Sequence, residues 1–297
     1  MSTRALVLGG GGPVGIAWEA GLLAGLAQGS VDLAGADFII GTSAGSFVGA
    51  QLAMGRASTE IAAAIVAEEG RPATPRQVSA RPAPDLRVLF SKMQEAVSGA
   101  RDPIEVRREI GAFALAAETV DEQTFINSFG RSLSGLADDA WPTRPFACTA
   151  VDAASGEFVV WDANAKVGLA RAVASSCSVP GIFPAITINE RRYIDGGMRS
   201  GTNADLAKGY DLTVVVALRL PEDANVAAAL RQAVLDAEIK TLRDAGGRVE
   251  LIIPDASSQT AIGANLMDAR KRPAAARAGL AQGAAIAEGL GLAWNAG

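Results

Sequence analysis

A chain of 297 residues without a single histidine has no Ser-His-Asp triad, no Cys-His pair and no histidine-based zinc motif, so any chemistry it performs falls to carboxylates, hydroxyls, amines or backbone dipoles. Its formal charge of -5 argues against nucleic acid as the main partner and gives no general attraction to anionic membrane surfaces. The length, with 49% apolar and only 5% aromatic residues, fits one α/β domain whose small side chains let helices pack closely on a sheet.

Residues 5–8 form a short apolar run ending in glycines, the pattern of a buried parallel strand. The run from 5 to 27 approaches the apolarity of a membrane span. Gly9, Gly10, Gly11, Gly12, Pro13 and Glu19 interrupt it, and no signal-peptide pattern precedes it, so a soluble cytoplasmic protein is expected. Residues 16–27 read as a helix, with Ile16, Leu22, Leu23 and Leu26 among its apolar positions. A second short strand over 38–40 stops abruptly at Gly41, and helices follow over 44–54 and from Ser58 to Gly70.

The character changes over 71–101. Pro72, Pro75, Pro82 and Pro84 break regular structure, while Arg71, Arg76, Arg81, Arg87, Lys92 and Arg101 outnumber Asp85 and Glu95. This stretch reads either as a cap or flap with a short helix near 88–97, or as a solvated surface excursion. Helices are expected over 104–117 and 124–129. Strands over 146–151 and 158–161 are joined as a hairpin by the turn at 152–156. A helix over 167–174 precedes a second hairpin, 186–188 with 192–194, around Asn189 and Glu190. The β-branched run 212–218, a helix over 226–244, a strand over 249–253 and a closing helix over 273–290 complete the chain. Strands alternating with helices predict a mostly parallel sheet with helices on both faces, a three-layer α/β sandwich. Residues 1–297 read as a single domain with a cap or flap insertion over about 71–144. Cys148 and Cys177 lie too far apart for a metal motif and read as buried free thiols. No metal site or cofactor is expected, and Asp138 and Asp139 read as solvated surface.

Three features could carry chemistry. Residues 9–15, Gly-Gly-Gly-Gly-Pro-Val-Gly, lie between a strand and a helix, where successive N–H groups and the helix dipole can converge on an anion. Gly10, Gly12 and Gly15 also satisfy the dinucleotide spacing G-x-G-x-x-G, but the second strand runs into Gly41 with no acidic residue at its tip to hold a ribose. That tip, Gly41-Thr42-Ser43-Ala44-Gly45, is a G-x-S-x-G pattern: a sharp strand-to-helix turn exposing a serine hydroxyl. Ser43 is then either a nucleophile or a helix cap. Ser46 is not framed by the glycines. Finally, Asp195-Gly196-Gly197 ends a strand, and by itself it reads as a turn as readily as a site.

In this chain order the glycine loop, Gly-Thr-Ser-Ala-Gly and Asp-Gly-Gly together resemble the patatin-like phospholipase family, as does the segment 174–184 before the aspartate. The resemblance covers residues 5–218. It implies Ser43 as nucleophile, Asp195 as base, and the amides of Gly10, Gly11 and Gly12 as the oxyanion hole, with Gly15, Gly41, Gly45, Gly196 and Gly197 supporting the motifs. The family's Ser-Asp dyad needs no histidine, in keeping with the composition. The implied substrate is a lipid or acyl ester, with at most peripheral membrane contact. Val14 stands where the family commonly carries arginine or lysine. A non-catalytic lipid-binding relative and a nucleotide-binding domain are the competing readings. A free aspartate, with a pKa near 3.9, is a poor base at neutral pH, so the mechanism requires a dry pocket that raises it.

Overall fold

Alternation along the strands decides which side chains face which layer. In β1 (Arg4–Leu8) and β7 (Leu212–Val216), Leu6, Leu8, Val214 and Val216 join one apolar core, whereas Ala5, Val7 and Val215 join another. Both faces of the sheet are therefore covered, as parallel strands require. These features come from a computed structural model describing residues 2–70, 91–92, 95, 99, 101–130, 132–134, 140–219 and 226–295. The flap helix expected near 88–97 falls largely outside the described residues, as do Asp138 and Asp139.

β1 pairs in parallel with β2 (Phe38–Gly41) and β7; β3 (Phe146–Asp152) and β8 (Arg248–Ile252) extend the parallel part on either side. The antiparallel part is made by β4 (Phe158–Trp161), β5 (Ile186–Ile188) and β6 (Arg191–Asp195). The β5–β6 hairpin turns at Asn189 and Glu190, whose φ values of 48° and 65° are the left-handed pair that a two-residue hairpin demands. On one face, α1 (Gly12–Gln28), α2 (Ala44–Ala53), α3 (Ser58–Val66) and, after the helices introduced next, the closing helix all contribute to the larger core. On the other face lie α4 (Pro103–Ala116), through Val106, Ile110 and Ala114, and a later helix, through Leu235, Ile239 and Leu242. The remaining helices are α5 (Glu122–Gly130), α6 (Leu169–Ser176), α7 (Val226–Asp244, the later helix just cited), α8 (Ala256–Ile262) and the closing α9 (Arg272–Trp294).

The expected three-layer α/β architecture is the one found, with differences at several helix ends. α3 stops at Val66 rather than Gly70, α5 runs Glu122–Gly130 rather than 124–129, and α6 runs Leu169–Ser176 rather than 167–174. α1 starts at Gly12, not at 16, because Pro13 in its first turn is pre-set for helical φ and lacks only an N–H that a helix start leaves unpaired anyway. α9 is also longer than 273–290. It crosses α1 backbone to backbone: a Cβ on Gly21 would lie 2.0 Å from the Ala276 carbonyl oxygen, and one on Gly283 would lie 2.2 Å from that of Leu22. Gly21→Ala is therefore expected to force the helices apart and cost about 2–3 kcal/mol, which urea denaturation would measure against a near-neutral exposed substitution.

Candidate active site

Two strands aim their carboxyl ends at each other along one edge of β3. β4 covers one edge of β3 from Cys148 to Val151; β2 pairs with Phe146 to Cys148 and β6 with Ala150 to Asp152. Because Cys148 and Val151 each already pair with β4, β2 and β6 must share the opposite edge. β2 ends at Gly41 opposite Cys148, and β6, running the other way, ends at Asp195 opposite Ala150. The gap between the two ends is one residue wide, at Thr149. Local sequence thus delivers Thr42-Ser43 from one side and Asp195-Gly196 from the other.

A buried polar floor holds the gap. The hydroxyls of Thr42 and Thr149 are 2.9 Å apart, and the Asn203 amide donates to Thr42 Oγ1 at 3.0 Å and to the Ser200 carbonyl at 2.9 Å. Gly196 lies so close to Thr149 that a Cβ there would be 2.2 Å from Thr149 Oγ1. Behind the loop, the largely buried Glu238 on α7 accepts from Thr202 Oγ1 at 2.5 Å and from the Ala204 N–H at 3.1 Å. Burial holds its carboxyl above the usual range.

Ser43 sits at φ 51°, ψ -114°, a conformation sparsely populated by residues with a Cβ, and its side chain makes no capping bond to α2. Of the two roles open to Ser43 from sequence, capping is therefore not the one it fills. Its backbone is held on three sides. The Ser43 N–H donates to Ser176 Oγ at 3.0 Å, and the Ser43 carbonyl accepts from Ser46 Oγ at 2.7 Å and from Cys177 Sγ at 3.2 Å. Burial pushes the Cys177 thiol far above its ordinary range, so it stays a neutral donor; both cysteines are free and buried. Glycine is required beside the serine, since a Cβ on Gly45 would meet the Leu8 carbonyl oxygen at 2.1 Å.

Asp195 is 2% exposed, and desolvation pushes its carboxyl up to about 7. A hydrogen bond from the Ser43 hydroxyl and the Gly197 N–H, 2.7 Å from Oδ1, pull it partly back by favouring the ionised form. A buried carboxyl with one backbone donor and one serine hydroxyl can thus exchange a proton near neutral pH.

The glycine loop passes over this pair: a Cβ on Gly10 would lie 3.5 Å from Ser43 Cβ. Its amides are not equivalent. The Gly10 N–H donates to the Gly201 carbonyl at 2.7 Å and the Val14 N–H to the Leu266 carbonyl at 3.2 Å. Gly10 is therefore corrected as an oxyanion donor, because its proton is committed to the loop that follows Asp195. Gly11, at the N-cap, and Gly12, the first residue of α1, occupy positions whose N–H groups a helix leaves unpaired. Among the described residues neither donates to a carbonyl outside its own helix. Phe47, one turn beyond Ser43 on α2, meets Phe129 edge-on, Phe129 meets Phe125 edge-on, and Phe125 stacks on Phe183, a contiguous run of four aromatic rings.

Thr149, Asn203 and Glu238 carry no motif, and Ser176 lies in the segment 174–184 without any local mark of a role beside Ser43; only tertiary structure brings the four here. Among the described residues, no group of three or more Cys, Asp or Glu side chains could hold a metal, and no helix is long and apolar enough to cross a membrane.

Fold and site together define a mixed α/β protein with a serine and a buried aspartate facing each other across the end of a largely parallel sheet. The patatin-like phospholipase family model matches residues 6–208, about two thirds of the chain, and the chain belongs to that family. Solved structures similar to it include VipD from Legionella pneumophila, at 14% identity and a TM-score of 0.47 over 97% of this chain and 67% of that one. The type III effector protein ExoU is similar at 17% identity and a TM-score of 0.40, with 97% of this chain and 53% of that one covered. No curated protein matches the sequence.

Proposed function

We propose that the chain is a lipid acyl-ester hydrolase of phospholipase A or carboxylesterase type, with Ser43 as nucleophile, Asp195 as general base, and the amides of Gly11 and Gly12 as oxyanion donors. The observation that carries this reading is the pairing of a serine at positive φ with an aspartate whose burial raises its pKa to about 7. Ser43 Oγ attacks the ester carbonyl while its proton passes to Asp195. The carbonyl oxygen becomes an oxyanion facing the start of α1, where one N–H donor is typically worth about 3 kcal/mol. Protonated Asp195 then gives its proton to the leaving alkoxide. In the second half, Asp195 takes a proton from water, the hydroxide attacks the acyl-serine, and Ser43 recovers its hydrogen as the free acid leaves.

Family membership supports a lipid ester as the substrate, and the run of rings from Phe47 through Phe129 and Phe125 to Phe183 supports an acyl chain as its apolar part. Contact with a membrane is then peripheral. The region 71–144, between α3 and β3, is the insertion within a single domain that we take to shape the rest of the pocket. Labelling with a fluorophosphonate, followed by mass-spectrometric location of the adduct, is expected to find a single modified residue, Ser43. An adduct on Ser46 or Ser176, or no adduct on folded protein, overturns the assignment.

A further inference from the structure

A loop of four consecutive glycines is costly to order, and its amides serve as oxyanion donors only if something holds them in place before the reaction. The loop has no charged side chain of its own: Val14 is apolar and fully buried. It is gripped from outside residues 6–208. The Val14 N–H donates to the Leu266 carbonyl at 3.2 Å, and Arg272 Nη1 donates to the Pro13 carbonyl at 3.1 Å. The rest of that guanidinium forks onto Glu68, just beyond α3, with Nε–Oε2 at 2.8 Å and Nη2–Oε1 at 2.9 Å. The Arg272 side chain is only 13% exposed, so these charge-assisted bonds are partly shielded from water and stronger than those of a surface pair. Gly12, at φ 59°, packs so tightly on the same segment that a Cβ would lie 2.9 Å from the Leu266 carbonyl oxygen and 3.1 Å from Met267 Sδ.

We propose that Arg272 is a positioning residue for the oxyanion donors: it ties the Pro13 carbonyl to Glu68 and so fixes the adjoining Gly11 and Gly12 amides above Ser43. The inference rests on reading that loop as the oxyanion hole. The guanidinium works because it is planar and many-handed. One nitrogen reaches the loop while two others are fixed by the carboxylate, which an ammonium group cannot reproduce in full.

The test uses the full chain as wild type, Ser43→Ala, Arg272→Ala, Arg272→Lys and Glu68→Gln. It measures p-nitrophenyl butyrate hydrolysis, the fluorophosphonate inactivation rate and melting temperature, with kcat expressed per site the probe can label. Arg272→Ala is expected to lower kcat about tenfold to a hundredfold, the cost of small misplacement at a reacting centre, with KM within about twofold. The inactivation rate should fall by a similar factor, because phosphonylation uses the same oxyanion donors. Arg272→Lys should lie between alanine and wild type, and Glu68→Gln should show a smaller loss than Arg272→Ala. A purely structural arginine would lower the melting temperature and the number of labelled sites while leaving kcat per labelled site unchanged, and that result overturns the proposal. If Arg272→Ala does not fold, unchanged kcat per site in both Arg272→Lys and Glu68→Gln overturns it equally. Activity surviving in Ser43→Ala would sink the active-site reading and this inference with it. An inert Ser43→Ala beside a fully active Arg272→Ala would sink this inference alone.

Discussion

Alanine at Ser43 is expected to lower kcat for ester hydrolysis by at least about 10⁴-fold, the scale on which removal of a covalent nucleophile is felt when the oxyanion donors remain. The protein should nevertheless stay folded. The Ser43 hydroxyl caps no helix, and the three bonds that hold residue 43 in its positive-φ turn run to its own N–H and carbonyl, which alanine keeps. The backbone strain at φ 51° is common to serine and alanine, so it cancels in the comparison. Loss of the hydroxyl also removes one of the two groups that stabilise ionised Asp195, so that carboxyl should titrate higher in the variant. Ester turnover and a thermal melt of the same preparation check the pair of expectations. Full activity in the variant would refute the nucleophile, and a collapsed melt would show that Ser43 is structural.

The glycine-framed serine, the Asp-Gly-Gly end of a strand and the alternation of strands and helices are local patterns, and the fold and the Ser43–Asp195 pair could be read from them. What local pattern does not contain is strand order. β2 and β6 are separated by some 150 residues, and nothing in either says that both lie against one edge of β3. Thr149 and Asn203 are therefore invisible as site residues, since each is an ordinary polar residue until the pairing brings it to Thr42 or Gly196. Although Ser176 lies in the family-like segment 174–184, nothing local marks its hydroxyl as the acceptor of the Ser43 N–H. The glycine loop shows the same limit from the other side. Sequence placed Gly10 among its donors, but whether an N–H is free depends on where the Gly201 carbonyl lies, a fact of tertiary structure. Val14, read as a missing cation, is answered by Arg272 from beyond the family-matched stretch, 258 positions along the chain. Glu19 resisted a reading altogether. Sequence marks it as an interruption of an apolar run, whereas it is fully buried on α1, neither oxygen has a hydrogen-bond partner among the described residues, and burial drives its pKa well up.

Asp195→Asn should remove activity and add stability at the same time. In wild type the folded-state pKa of this carboxyl is about 7, against about 3.9 for an unperturbed aspartate. The base is the carboxylate, so kcat/KM should fall tenfold per pH unit below about 7 and level off above it, a single limb in the region usually assigned to histidine, in a chain that has none. A limb near 4 would mean that Asp195 is solvated in the working enzyme and that burial does not tune it. The stability consequence has the opposite sign. A carboxyl whose folded pKa is raised favours folding fully only below its unfolded value, and that advantage is lost as pH rises through about 7. At pH 8 the folded protein therefore carries the cost of a buried carboxylate, on the order of 3–4 kcal/mol before relaxation. Asparagine keeps an acceptor for the Gly197 N–H but is never charged, so the variant should melt several degrees above wild type at pH 8, and the gap should close as pH falls toward 4. Chemical denaturation of both proteins across that range measures the gap. Equal stabilities at every pH would mean that water reaches Asp195, and the acid limb of the rate profile should then also sit near 4. Both results depend on the same desolvation, so the rate limb and the stability gap must move together.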